Sequence, residues 1–86
     1  MLFFIEFVGT FLFLSTIFTY AGNNPHAAAI IGLALAAAVY WGGGHYNPAV
    51  TVMYLMANPS GTNDALMRMV GQIVGMLAAF YWPRFL

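Results

Sequence analysis

Few of these 86 residues can do chemistry, and the most informative of them follow a glycine run, GGGHYNPAVT. Asn47 is a strong helix N-cap. Pro48 at the first helical position lacks an amide that would otherwise go unpaired, so Asn47, Pro48 and Ala49 predict a helix start. Many ordinary helices open this way, and the triplet alone assigns no function. Glu6 is the only charge in a long apolar run, and an ionisable group there is a functional candidate by default. Its place near the N-terminus equally suits a carboxylate that reaches interfacial water. Gln72, in another apolar run, reads as structural, able to hydrogen-bond across helices for about 1 kcal/mol. His26 lies in a polar turn and reads as solvated. Two isolated histidines, His26 and His45, make no metal site. No nucleophile has a neighbouring base and no carboxylates are paired, so the chain does not read as an enzyme, and no cofactor is expected.

The elements that must hold these residues are helices in lipid. The chain is 63% hydrophobic and 5% charged, against roughly 25% charged in an ordinary soluble domain. A soluble chain of this size struggles to bury enough surface, whereas lipid lets a helix expose apolar side chains all round. Net charge is zero, from Glu6, Asp64, Arg68 and Arg84, so no basic patch exists for nucleic acid. Without cysteine there is no disulfide, thiolate metal site or cysteine nucleophile. The run MLFFIEF lacks the basic opening of a secretory signal, which argues against a cleaved leader.

A first membrane-spanning helix is expected over residues 1–20, a turn over AGNNPH, and a second helix over 27–41. A third is expected over 65–82, with Asp64 favouring its N-terminal dipole and Pro83 at its end. Between the second and third, the apolar segment 48–57 would be only about 15 Å long as a helix. That reaches half-way across a core about 30 Å thick. A helix ending in mid-membrane normally lines a site or pore, because protein or water must satisfy its backbone. Small residues at Ala28, Gly32 and Ala36, and again at Gly71, Gly75 and Ala79, predict close helix packing.

In this setting GGGHYNPAVT resembles the first NPA box of the aquaporin and glycerol-facilitator family. IEFVGTFLF resembles the Glu-containing start of the family's first helix, and GQIVGMLAA its third helix. The resemblance implies an all-α membrane protein: three transmembrane helices plus one re-entrant half-helix, residues 1–86 forming one repeat. A complete fold has two such repeats, inverted, with their NPA boxes meeting at mid-membrane. Carried over, Asn47 offers its side-chain amide to a passing water or hydroxyl, and the positive end of the half-helix opposes protons and cations. Glu6 matches the glutamate that holds the re-entrant loop. His45 matches the histidine before the box, where it could meet solute, although a loop histidine bonded to backbone would look the same. Gly44, His45, Val50 and Ile31 are the candidate pore-lining residues.

Two departures matter. Val50 stands at the position matching the arginine that usually follows the second box. The aromatic that often faces that arginine corresponds to Ile31, or to Ala27 without a deletion; either implies an apolar, wide constriction that favours glycerol-like solutes. Arg68 and Arg84 would lie on opposite sides, leaving almost no positive-inside bias. The expected product is a multi-pass protein of a plasma or inner membrane. It would form a channel for water or a small uncharged solute from an antiparallel homo-oligomer, or with a second half-channel chain. The rival is a non-conducting half-channel that modulates or completes another membrane protein.

Overall fold

The computed structural model describes residues 1–85; residue 86 of the expected repeat lies outside the described residues. The architecture is all-helical, without strands among the described residues. Helix α1 runs Leu2–Thr16 and continues as a π-helical turn, Ile17–Ala21. Helices α2 (Ala27–Gly42), α3 (Pro48–Ala57) and α4 (Thr62–Tyr81) follow, with 3-10 turns at Pro59–Gly61 and Trp82–Phe85.

Local chemistry sets the breaks. The turn after Ala21 carries Asn23 at φ 58°, a left-handed conformation that Asn tolerates. Helix α2 ends on Gly43 at φ 64°, whose amide donates to the Val39 carbonyl at 2.8 Å; a glycine in this conformation is a common helix stop. Asn47 begins α3, its Oδ1 accepting the Ala49 amide at 2.8 Å, with Pro48 at the first helical position. Pro59 cannot supply the next helical amide and α3 stops before it.

Helix α1 is the centre of the molecule, packed against α4 on one side and α2 on the other, while α3 packs on α4 and its backbone does not approach that of α2 closely. The α1–α4 approach depends on Gly71 and Gly75. A Cβ at Gly71 would stand 2.6 Å from the Phe3 carbonyl oxygen, and one at Gly75 2.8 Å from that of Phe7. The expected small-residue packing of α4 is therefore made, onto α1. That of α2 is not made within the chain: Ala28, Gly32 and Ala36 are exposed, and a Cβ at Gly32 would meet nothing within 4 Å. Residue spacing says which faces can approach closely, and only tertiary contacts say which do.

Polarity runs opposite to that of a water-soluble core. The largest fully buried side chains are Gln72, Glu6 and Thr51, whereas Phe4, Leu33, Tyr40, Met56 and Trp82 are exposed. Soluble folds rarely bury carboxylates and amides while showing large apolar side chains; lipid as solvent removes the penalty on the second group. Two helical stretches, Leu2–Ala21 and Pro59–Arg84, are long and apolar enough to cross a membrane.

Candidate functional site

The polar residues meet where α1, the 43–47 loop, α3 and α4 come together, and Glu6 is their hub. It is fully buried, so the alternative in which its carboxylate reaches interfacial water does not hold. Arg68 and Gln72 sit four residues apart on α4, hence on one face, and Gly71 between them lets that face reach α1. Oε2 of Glu6 accepts the His45 amide at 2.9 Å and Arg68 Nη1 at 2.6 Å. Oε1 accepts the Tyr46 amide at 2.8 Å and Gln72 Nε2 at 3.1 Å. A carboxylate offers about four lone-pair directions; here four donors fill them. Three of the four, the Arg68 guanidinium and the two backbone amides, can only donate, so the arrangement suits a carboxylate that accepts.

From this hub the bonds continue into α3. Gln72 Nε2 also donates to Thr51 Oγ1 at 2.8 Å, and Thr51 Oγ1 lies 2.9 Å from His45 Nδ1. The His45 ring stacks on Tyr54, with centroids 4.9 Å apart and planes within 18°. The loop is thus held through two backbone amides and one imidazole.

Tyr46 locks the loop from the other side. It sits at φ 58°, which costs an L-residue about 1–2 kcal/mol. Its amide is on Glu6 and its hydroxyl donates to the Ala38 carbonyl of α2 at 2.7 Å. The ring lies over Gly9 and Gly44 and the hydroxyl against Gly42, and a Cβ on any of the three would clash with this side chain. These glycines serve one aromatic side chain.

Asn47 is exposed at the start of α3. Because Oδ1 accepts the Ala49 amide, what remains is the NH2 group, which has no partner among the described residues. Pro48 and Ala49 are exposed beside it, and Val50 is half-buried. Gly44 is buried, with Tyr46 and Glu6 against it. Ile31 is half-buried on α2, whose backbone does not approach that of α3 closely.

Three contributors were not singled out by sequence reasoning: Arg68, valued only as a topology marker, Thr51 and Tyr46. The available signal for Arg68 was its spacing of four from Gln72 in an otherwise apolar helix. A cavity of about 220 Å³ opens beside the network, its polar wall formed by His45, Thr51, Tyr54, Asn58, Asp64 and Arg68. Arg68 is partly exposed there while its partner Glu6 is not.

No protein-family model matches the chain, and no solved structure does. It is similar to the glycerol uptake facilitator protein-like 6 of Lactiplantibacillus plantarum, with 32% identity over 82 residues, covering 86% of this chain and 38% of that relative. The chain therefore spans well under half the length of that protein.

Proposed function

This chain belongs to the aquaporin and glycerol-facilitator family, and from that premise we propose that it forms a membrane channel for water or a small uncharged solute such as glycerol. Helices α1, α2 and α4 cross the bilayer, and α3, about 15 Å long, enters it half-way as the re-entrant element. The observation that carries this reading is Asn47. Its oxygen is tied to the Ala49 amide, so its NH2 group is presented at the end of a helix dipole, as a donor for a water or hydroxyl oxygen. The Glu6 network holds the loop behind it, so the donor stays where the pore needs it.

A pore of this kind needs a second repeat of opposite orientation, which a second copy inserted the other way round would supply. The apolar Ile31 and Val50 favour a wide constriction, in keeping with the glycerol uptake in the relative's name. The membrane is a plasma or inner membrane.

Stopped-flow shrinkage of liposomes carrying the purified chain tests the proposal, with water and with glycerol as permeants. Permeability well above that of empty vesicles, lost in Asn47→Asp, is the expected result. The variant replaces a donor by a carboxylate at the pore's positive end. If the protein is folded and inserted but vesicles shrink no faster than empty ones, autonomous conduction is excluded. The chain is then a half-channel that completes or modulates another membrane protein.

A further inference from the structure

The buried network also determines which hydrogen-bonding face His45 shows. Glu6 accepts only, so the Gln72 atom 3.1 Å from its Oε1 must be the amide nitrogen. Turning the amide over would set oxygen against oxygen, and the cost of the right orientation is visible: Gln72 Oε1 is buried without a partner. Gln72 therefore spends its other N–H on Thr51 Oγ1, at 2.8 Å. Thr51, itself 1% exposed, has one hydroxyl proton and two acceptors in view: His45 Nδ1 at 2.9 Å and the Asn47 carbonyl at 3.4 Å. A hydroxyl bond to oxygen is normally about 2.7–2.8 Å long, so the contact with Asn47 is slack and the one with His45 is close to ideal. The proton goes to the histidine. Nδ1 then accepts, and a neutral imidazole that accepts at Nδ1 carries its hydrogen on Nε2. Nε2 has no partner among the described residues, and His45 forms part of the cavity wall beside Arg68, whose guanidinium can only donate.

We propose that the relay Glu6–Gln72–Thr51 fixes His45 as its Nε2–H tautomer. His45 is thereby a permanent hydrogen-bond donor toward a solute hydroxyl oxygen in this cavity, and Thr51 and Gln72 are its positioning residues. The tautomer stands on the network alone; the solute contact rests on the channel reading. Together with Arg68 it supplies the donors of a cavity whose wall also carries the acceptors Asp64 and Asn58, a match for a group that both accepts and donates, such as water or a polyol hydroxyl.

The test is 15N NMR of histidine-labelled protein in bilayers at a pH of about 8, above the ordinary histidine value of about 6.5. His26 is assigned by comparison with His26→Gln. Wild-type His45 is expected as a single tautomer, protonated at Nε2. Thr51→Val, which keeps the shape and removes the hydroxyl, is expected to give a tautomer mixture, and Thr51→Ser to restore the single form. A wild-type His45 protonated at Nδ1 would overturn the proposal, independently of whether any variant folds. So would an unchanged tautomer in a folded Thr51→Val. Glycerol titrated into the sample is expected to shift the Nε2–H resonance, and no shift would remove the donor role toward solute. Because the tautomer is read without any flux, vesicles that fail to conduct while His45 stays Nε2–H would exclude autonomous conduction and leave the relay standing.

Discussion

At the scale of single residues, Glu6 organises the site, and the reason is arithmetical. Four donors converge on a carboxylate that has room for four, so each change at this position leaves several buried groups without a partner. Glu6→Gln keeps the volume but removes the charge and turns two hydrogens toward donors. We expect it to cost about 3 kcal/mol, as for lost bonds to a buried charged group, measured as a shift in detergent unfolding of the purified chain. A change under about 0.5 kcal/mol would mean that the loop is held elsewhere. How far this was legible beforehand differs by residue. The helix start at Asn47 and Pro48 is written locally, because a cap and its proline are neighbours. Glu6 could be picked out as an unusual charge but not as buried, since its position near the N-terminus suits water as well as protein. Arg68 was unreadable as its partner because the two lie 62 residues apart. Likewise the glycines that admit the Tyr46 side chain come from α1 and from the end of α2 and the loop beyond it, and nothing local connects them.

At the scale of elements, the molecule separates two stripes that look alike in sequence. Gly71, Gly75 and Ala79 are buried on α4 against α1, whereas Ala28, Gly32 and Ala36 on α2 are open. The difference gives a paired prediction. Gly75→Val puts carbon against the Phe7 carbonyl and the Thr10 side chain, where the backbone cannot yield cheaply, and is expected to cost about 1–3 kcal/mol as overpacking does. Gly32→Val enters open space and should leave the stability of the isolated chain within about 0.5 kcal/mol. Unfolding both variants in the same detergent checks the pair, and equal losses would contradict the packing of α2 described above. Sequence spacing identified both stripes as capable of close approach. It held no information on which would find a partner, because α1, the partner, carries its contact through backbone carbonyls that no residue type advertises.

At the scale of the whole molecule, composition marks a chain far more apolar and far less charged than a soluble domain, and the structure adds the inversion of polar inside and apolar outside. The orientation of that chain in a bilayer is a separate question of charge. Arg68 and Arg84 are its only lysine or arginine residues, and about 24 Å of helical rise separates them, most of a hydrocarbon core. Arg68 is bound to Glu6, and Arg84 lies over the Phe80 ring, 3.8 Å from its centroid. One cation near each end of α4 gives no preference for either side, since orientation follows the difference in lysine and arginine between loops. The chain is therefore expected to insert both ways round, as an antiparallel pore of identical copies requires. A cysteine added at the C-terminus should react with an impermeant maleimide from both faces of the membrane in comparable yield. Adding three lysines to the turn around Asn23 should drive the population to one orientation and, if the pore is antiparallel, abolish conduction without unfolding the chain. Labelling from one face only in the unmodified protein would rule out the identical-copy pore and require a different chain to supply the opposite repeat.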